Sequence, residues 1–328
     1  MREADLPRRR QRAARPGPGG DTILSADVAS TGAGCRPQLQ GRLSSIRLAG
    51  GGPLTVTKLD LQTPLFATYS FVNRRGWLRK PWAKRLFRES YFFYKKYYED
   101  PFWRLVKNRP SLFRGGHVLD VGANIGYTSY CFANGVEPDC FVYAFEPEAI
   151  NFTELLQTAK RPAVAGRIKP VRKAVGDERK EVDLWINDDH HGDHRIITST
   201  YRSSGVDVSK TERVEVISID EFAKEQDILG RIRFVKMDVQ GYELPVCAGM
   251  VETLDANPDI TVVAEYSPEH LEALGFEPTS LLSFFRERQF QGYLLSRPGR
   301  REVLRPWDWQ TTGAAGYVDV LFSRKSLL

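Results

Sequence analysis

The amino-acid sequence predicts an α/β protein built on a doubly wound, mostly parallel sheet. Two observations favour this class. From residue 117 onward, short apolar runs such as HVLDV, FVYAFE and DITVVAEY alternate with helix-like segments such as PEAINFTELLQTAK. The first apolar run also ends in a glycine-containing turn, LDVGANIG, which leads directly into a helix-like stretch. That connection is typical of sheets that bind nucleotides or nucleosides at the strand ends.

The predicted strands alternate with predicted helices along the chain, as a doubly wound α/β fold requires. They are HVLDV (117–121), FVYAFE (141–146), RIKPVRKAV (167–175), EVDLWI (181–186), RVEVISI (213–219), IRFVKMD (232–238), DITVVAEY (259–266), FQGYLLS (290–296) and GYVDVLFSRK (316–325). Helices are predicted between them, for example after Pro147 and Tyr242 and in a short segment that Asp220 can cap. Pro170 lacks a backbone donor and therefore predicts an irregular or edge strand.

The chain of 328 residues divides into three predicted regions. Residues 1–50 are rich in Arg, Gly, Pro and Ala and have almost no periodic apolar content, which predicts a disordered basic tail. Residues 51–109 predict an aromatic and basic helical collar or lid. Residues 110–328 predict the large α/β domain.

The collar shows a helical pattern of aromatic residues, because Phe87, Tyr91, Tyr94 and Tyr98 follow the i, i+4, i+7, i+11 spacing of one stripe. Packing of this stripe on the main domain is one interpretation. A partial lid over an acceptor pocket, or peripheral contact of residues 74–109 with an anionic membrane surface, is the other.

The distribution of charge restricts the partners. The net charge is +6, but residues 1–50 carry +5 and residues 74–109 carry +9, so residues 110–328 carry −8. An acidic main domain does not suit a general nucleic-acid surface. The sequence contains no apolar run of transmembrane length and no secretion signal, and its four cysteines show no CxxC spacing. We therefore expect a cytoplasmic protein.

The glycine turn identifies a candidate cofactor site. Asp120 ends the first strand, Gly122 and Gly126 bound the turn, and Asn124 occupies the position of the middle glycine of a dinucleotide motif. A carboxylate before the turn would repel a pyrophosphate and would suit the cationic methionyl amine of S-adenosylmethionine. Glu146 ends the second strand, where a carboxylate can accept hydrogen bonds from both hydroxyls of a ribose.

Five motifs then occur in a fixed order: VLDVGANIGYTSY, VYAFEPEAINFTELL, VISIDEF, VKMDVQGYELPVCAGM and VVAEYSPEHL. Together they resemble the FkbM-type methyltransferases, a branch of the class I S-adenosylmethionine-dependent methyltransferases, over residues 110–328. The resemblance implies a Rossmann-like sheet of seven strands with an antiparallel final strand and S-adenosyl-L-methionine as cofactor. It also implies methyl transfer, usually to oxygen, on sugars, glycolipids, polysaccharides or polyketides.

The resemblance also assigns residues. The cofactor loop is matched by Asp120, Gly122, Asn124 and Gly126, the ribose carboxylate by Glu146, and the adenine region by Val175 and Asp177. One position departs from the pattern D-x-E-G-x-E, because Gln240 replaces the middle glutamate and can be neither a base nor a charged group. Asp238 ends the next strand and is a candidate acid or base or, alternatively, a helix cap. Glu265 is a third acid/base candidate.

The stretch INDDHHGDHRI contains three of the five histidines. We interpret it as a loop on the substrate side, with His194 as a candidate base and His191 and Arg195 as acceptor-binding residues. A zinc site formed by His190, His191 and His194 is an alternative. A non-haem iron site would instead combine His191, Asp193 and His270. Because sulfonium is already a good leaving group, we expect no metal.

The sequence thus predicts an S-adenosylmethionine-dependent O-methyltransferase that acts on a small-molecule or glycan acceptor. Two alternatives remain open. One is a nicotinamide-dependent oxidoreductase on a similar sheet. The other is a protein that keeps the S-adenosylmethionine pocket without catalysis and docks on a glycan or membrane surface.

Overall fold

The computed structural model describes residues 81–187, 194–205, 208–296, 303–309 and 317–328. The predicted tail, the first part of the collar and most of the histidine loop lie outside the described residues, and so does His191.

The described chain alternates helices and strands as the pattern predicts. The helices are α1 (Pro81–Tyr94), α2 (Phe102–Asn108), α3 (Tyr127–Ala133), α4 (Ala149–Ala159), α5 (Ser199–Ser203), α6 (Ile219–Glu225), α7 (Glu243–Ala248), α8 (Val251–Ala256), α9 (Pro268–Ala273) and α10 (Pro278–Glu287). A π-helical turn, Lys95–Glu99, follows α1, and a 3-10 turn, Pro110–Leu112, follows α2.

The strands are β1 (His117–Val121), β2 (Val142–Phe145), β3 (Ile168–Val171), β4 (Ala174–Gly176), β5 (Lys180–Trp185), β6 (Arg195–Ile196), β7 (Thr211–Ser218), β8 (Ile232–Met237), β9 (Thr261–Tyr266), β10 (Gln291–Leu295), β11 (Leu304–Pro306) and β12 (Val318–Ser323). None of the helices in these described segments is long and apolar enough to cross a bilayer.

The main sheet has the strand order β11-β10-β12-β9-β8-β1-β2-β3. Strands β3, β2, β1, β8 and β9 pair in parallel, and β12 is inserted antiparallel between β9 and β10. The predicted α/β class and the antiparallel final strand are therefore confirmed. Strand β11 adds an eighth strand at the edge beyond the expected seven. Pro170 lies in β3 at the opposite edge, as its missing donor predicts.

A second, smaller sheet holds β4, β7, β5 and β6 in that order. Strands β5 and β7 form an antiparallel pair from Lys180↔Val216 to Trp185↔Thr211, and the histidine loop continues from the end of β5. The two predicted strands around this loop thus belong to a separate sheet, which has its own small core around Leu184, Val214 and Tyr242.

Apolar residues cover both faces of the main sheet, as a doubly wound fold requires. One core contains Phe145, Phe222, Met237 and Phe285 and includes residues of α6, α7, α8 and α10. The other contains Phe113, Phe132 and Phe234 and includes residues of α2, α3 and α4. This covering leaves the carboxyl ends of the parallel strands as the rim at which functional groups collect.

The described part of the collar packs against α3 and α4. Phe92 is buried and its ring lies edge-on to Tyr127 at 5.3 Å, while Arg88 forms an ion pair with Glu154 at 3.1 Å. The predicted stripe does not continue through Tyr98, which is 56% exposed. The π-helical turn changes the direction of the side chains after Tyr94, and this change is not visible in a 3.6-residue pattern.

Candidate functional site

The turn after β1 lies at the point where strand order reverses, since β1 has β2 on one side and β8 on the other. Gly122 and Gly126 both have left-handed backbones, with φ of +76° and +87°. A Cβ atom on Gly122 would lie 1.9 Å from the carbonyl oxygen of Asp238, so glycine permits the close approach of the β1 and β8 loops. A Cβ atom on Gly126 would lie 2.7 Å from Cδ1 of Leu155, which explains the tight packing of α3 on α4.

Glu146 organises the other side of this turn. One oxygen of its carboxylate accepts a hydrogen bond from the backbone N–H of Asn124 at 2.8 Å, and the other accepts from that of Glu148 at 3.0 Å. The side chain is 5% exposed, and burial raises its pKa to about 7 although the two N–H donors oppose this shift. The carboxylate is therefore held in one orientation at the end of β2.

A first cavity opens above the ends of β1, β2 and β4. The space within it is about 640 Å³, part of which is open to solvent. The lining combines apolar and polar residues: Val121, Gly122, Asn124, Phe145, Glu146, Pro147, Asn151, Lys173, Ala174, Val175, Leu184, His194, Ile196, Asp238, Val239 and Gln240. An apolar wall beside a fixed carboxylate suits a nucleoside, with the base on the wall and the ribose hydroxyls on Glu146.

Asp120 lies near the end of β1, as predicted, but its side chain is enclosed. Its carboxylate is fully buried and accepts hydrogen bonds from the hydroxyls of Thr128, at 2.7 Å, and Ser129. Its other oxygen lies 3.6 Å from Nζ of Lys236. Direct contact of Asp120 with a methionyl amine disagrees with this burial. The carboxylate instead fixes the first turn of α3 beneath the glycine turn.

Lys236 lies beneath the glycine turn, between Gly122 and Asp238. Its ammonium donates to the carbonyl oxygen of Gly122 at 2.9 Å and lies 3.5 Å from the carboxylate of Asp238. Burial would lower the pKa of Lys236, but the nearby charges of Asp238 and Asp120 outweigh burial and raise it. The charged ammonium therefore stabilises negative charge on Asp238.

A second cavity adjoins the first and shares Gly122, Asn124, Asp238 and Gln240 with it. Its empty volume is about 980 Å³, and its charged residues are Lys95, Glu99, Asp100, Lys236, Asp238, Glu265 and Asp319, with His270 beside them. The collar supplies Tyr91, Lys95, Glu99 and Asp100 to this wall. A cavity with so many acceptors suits a ligand that carries hydroxyl groups.

Three side chains on the rim of the second cavity are connected by hydrogen bonds. The amide nitrogen of Gln240 donates to Asp238 at 2.8 Å and to Glu265 at 3.2 Å, and Nδ1 of His270 lies 3.9 Å from Glu265. Burial, followed by the charges of Asp238 and Glu243, raises the pKa of Glu265 well above its usual range. Glu265 is the more enclosed of the two carboxyl groups, whereas the more accessible Asp238 faces both cavities.

Glu243 has a structural position beneath this rim. It is 1% exposed, and its carboxylate accepts from the backbone N–H groups of Val239, at 3.1 Å, and Gly241, at 3.4 Å. These bonds hold the loop that carries Gln240, whose φ of +53° is unusual for a residue other than glycine. Asp238 does not cap the next helix, because α7 begins after Tyr242.

The structure separates the other predicted site residues. Val175 is buried in the wall of the first cavity, whereas Asp177 is exposed, pairs with Lys180 at 2.5 Å and does not line that cavity. His194 lies in the nucleoside cavity and not in the second one. Its Nδ1 accepts a hydrogen bond from the backbone N–H of Asn187 at 3.2 Å. Arg195 lies in β6, paired with Trp185.

Sequence reasoning missed several residues of the second cavity. Lys236 and Asp319 lie inside predicted strands, and Lys95 and Asp100 lie in the collar. Charged residues at otherwise apolar strand positions were the available signal for the first two, because such groups need a partner when buried. His270, named above only as part of an alternative iron site, lines the second cavity beside Glu265.

A parallel sheet with an antiparallel strand inserted near its edge, a glycine turn after β1 and a fixed carboxylate after β2 define a class I methyltransferase. Residues 120–292 match the sequence profile of the methyltransferase FkbM domain. The chain belongs to this family, and it is an S-adenosylmethionine-dependent methyltransferase. No curated protein matches the sequence at a significant level.

Three solved structures that match part of this chain are distant from it in sequence. A methyltransferase FkbM from Methylobacillus flagellatus has 17% identity and a TM-score of 0.41, and the match covers 69% of this chain but only 48% of that one. The O-methyltransferase TomG from Streptomyces achromogenes, solved with S-adenosylmethionine and involved in tomaymycin synthesis, has 14% identity and a TM-score of 0.38, covering 67% and 77%. An S-adenosylmethionine-dependent O-methyltransferase from Thermotoga maritima has 12% identity and a TM-score of 0.36, covering 68% and 64%.

Proposed function

We propose that the protein transfers the methyl group of S-adenosylmethionine to a hydroxyl oxygen of a sugar-containing or polyketide-like acceptor. The observation that carries this proposal is the second cavity, where Asp238 and Glu265 end neighbouring strands beside the glycine turn. Its polar lining favours a sugar-containing acceptor over an apolar one.

The residues present fit the cofactor. Gly122 leaves the turn without a side chain, Glu146 presents a fixed carboxylate for the ribose, and Val175 contributes to the apolar wall for the adenine. For the methionyl amine we assign Asp100 in place of the enclosed Asp120. Asp100 lines the second cavity close to the glycine turn, and burial raises its pKa to about 7 despite the nearby Lys95.

When bound, S-adenosylmethionine supplies a methyl group on a positively charged sulfur. Transfer of that group would require the acceptor hydroxyl to be held in line with it, and the residues that line the second cavity would position the acceptor. Asp238 accepts the proton that the acceptor hydroxyl loses, and Lys236 stabilises the carboxylate before this transfer. Glu265 lies beside Asp238 in the same cavity and can hydrogen-bond a neighbouring hydroxyl group of the acceptor. Gln240 keeps both carboxyl groups in place.

We include the collar in the catalytic unit, since Tyr91, Lys95 and Asp100 contribute to the second cavity. The cavities therefore need residues from both predicted regions, 51–109 and 110–328. We also place the reaction in the cytoplasm. Cys131, Cys140 and Cys247 are free thiols, as a reducing compartment favours.

The test is methyl transfer from isotopically labelled S-adenosylmethionine to a panel of methyl glycosides, polyketide aglycones and aliphatic amines. We expect label on an oxygen of one of the glycosides or aglycones. Transfer only to nitrogen would reject the acceptor class. Calorimetric binding of NAD without binding of S-adenosylhomocysteine would support an oxidoreductase. Tight S-adenosylhomocysteine binding without transfer to any acceptor would support a non-catalytic pocket.

Two variants separate the proposed roles. Asp238→Asn should lower turnover by roughly 10²–10⁴-fold, with S-adenosylhomocysteine affinity changed only a few-fold. Glu146→Ala should weaken S-adenosylhomocysteine binding by roughly ten- to a hundredfold, because charged hydrogen bonds to the ribose are lost. Calorimetry and single-turnover kinetics measure both. If Asp238→Asn keeps full turnover, Asp238 is not the base.

A further inference from the structure

The collar carries an exposed apolar stripe on the side that faces away from the sheet. Trp82, Leu86, Phe93 and Tyr97 are 60%, 61%, 58% and 53% exposed. Their spacing of four, seven and four residues places them on one face of α1 and the π-helical turn that follows. At 1.5 Å per residue the stripe extends for about 22 Å. Exposed apolar surface of this length on one helix face indicates an interaction site.

Other side chains of α1 contact the main domain, and these contacts determine which way the stripe points. The buried ring of Phe92 contacts Tyr127 at 5.3 Å and Tyr130 at 5.8 Å, and the guanidinium of Arg161 lies 4.1 Å from the Phe92 ring. The ion pair between Arg88 and Glu154 ties the same side to α4. The inner side of the helix is thus held by the main domain, and the stripe is held outward.

The charge around the stripe is basic. Segment 81–109 has three acidic residues: Glu89 pairs with Arg161 at 2.5 Å although its side chain is 51% exposed, Glu99 pairs with Lys95 at 2.5 Å, and Asp100 is buried. Arg85 and Lys107 are exposed, and Lys96 lies over the rings of Tyr97, at 5.3 Å, and Trp103, at 3.8 Å. The outward charge therefore complements an anionic partner.

We propose that this aromatic–basic face docks on an anionic membrane surface. A long helix face of aromatic and aliphatic side chains, interrupted by Glu89 between Leu86 and Phe93 and flanked by cations, is the kind of face with which an amphipathic helix enters the boundary between headgroups and acyl chains. Lysine and arginine near that surface add attraction to anionic lipids. The stripe is a convex helix face rather than a groove, so a flat lipid surface fits it better than a peptide or a free sugar does.

The location of the face relates it to the reaction. Tyr91 and Lys95 belong to the same helical segment and line the second cavity. A docked enzyme would hold that cavity close to the membrane, where an acceptor carried on a lipid could enter. This last step depends on the proposed methyl transfer, whereas docking itself does not.

The test is sedimentation of the full-length chain with vesicles of phosphatidylcholine alone and of phosphatidylcholine mixed with phosphatidylglycerol. We expect binding to the anionic vesicles, weakened by salt and much lower on neutral vesicles. The triple variant Trp82→Ser/Phe93→Ser/Tyr97→Ser should bind anionic vesicles at least about tenfold more weakly. Its S-adenosylhomocysteine affinity and thermal melting should match the unmodified chain.

Ile150→Ser is the control, because Ile150 is 58% exposed but lies on α4, outside the stripe. It should bind vesicles like the unmodified chain. Equal binding of the triple variant and the unmodified chain, or no binding by the unmodified chain, would overturn the proposal. So would light scattering that shows a dimer of the unmodified chain and a monomer of the triple variant, since a second copy would then cover the stripe. None of these measurements requires methyl transfer, so failure of the proposed activity would be recognised separately.

Discussion

Gly122 and Gly166 share one backbone conformation but differ in their surroundings. Their φ angles are +76° and +80°, yet a Cβ atom on Gly122 would meet the Asp238 carbonyl at 1.9 Å, whereas nothing lies within 4 Å of one on Gly166. Gly166→Ala should therefore cost only backbone strain, roughly 1–2 kcal/mol of unfolding free energy. Gly122→Ala should add overpacking and cost roughly 2–5 kcal/mol.

The two alanine variants are compared by denaturant unfolding and by calorimetry with S-adenosylhomocysteine. Gly166→Ala should retain normal cofactor affinity, because residue 166 is distant in sequence and structure from the turn. Gly122→Ala should lose most of it, because the turn after β1 must move away from Asp238. If both variants lost the same amount of unfolding free energy, the contact between a side chain at position 122 and the Asp238 carbonyl oxygen would not destabilise the protein.

Residue patterns predicted which groups lie at the carboxyl ends of the parallel strands, but not the direction in which each side chain points. Glu146 and Asp238 lie at strand ends beside the cavities, in agreement with their sequence positions. Asp120 also ends a strand, but the neighbouring Thr128, Ser129 and Lys236 enclose its carboxylate. The partners of a buried charge come from elements remote in sequence, so the motif alone could not distinguish a ligand-binding carboxylate from an enclosed one.

At the scale of secondary-structure elements, Asp220 caps a different helix from the one predicted from the sequence. It was expected to cap its own helix, but Ser218 does so by accepting from Glu221 N at 3.1 Å. Asp220 instead accepts from the backbone N–H groups of Glu252, at 3.0 Å, and Thr253, at 2.7 Å. Its carboxylate therefore satisfies the N-terminus of α8, more than thirty residues away.

Asp220→Ala should consequently lower the free energy of unfolding by about 0.5–2 kcal/mol, the usual cost of a lost cap. Ser218→Ala is the matched control at the start of α6 and should cost a similar amount. Hydrogen exchange distinguishes them. Protection should fall in residues 252–256 for Asp220→Ala and in residues 221–225 for Ser218→Ala. If both variants lost protection from hydrogen exchange in α6 alone, Asp220 would not cap α8.

Element order was predictable because periodicity records which face of a segment is buried. The partners of a strand were less predictable. Strands β5 and β7 show the expected alternation, but they leave the main sheet and form a second sheet with β4 and β6. Alternating patterns specify a half-buried strand and contain no information on which sheet it joins. The family resemblance supplied the main-sheet topology, and the small sheet lay outside it.

For the whole molecule, burial of carboxyl groups around the cavities couples folding to proton binding. Burial raises the pKa of Asp100, Glu146 and Glu243 to about 7 and that of Glu265 well above its usual range. Unfolded carboxyl groups titrate near pH 4. Between these values the folded chain binds more protons than the unfolded chain, so the free energy of unfolding should fall as pH rises from about 5 to about 7. His117 opposes this trend, since burial lowers its pKa.

Glu243→Gln tests this coupling at a residue that does not line either cavity. The amide oxygen can still accept from Val239 N and Gly241 N, but no proton is lost as pH rises. The variant should therefore show a shallower fall of unfolding free energy with pH, and at pH 7.5 it should gain stability on the order of up to 3 kcal/mol relative to the unmodified chain. Urea unfolding at several pH values measures both quantities. If Glu243→Gln has the same slope as the unmodified chain, Glu243 is ionised in the folded chain and its burial does not govern the pH dependence.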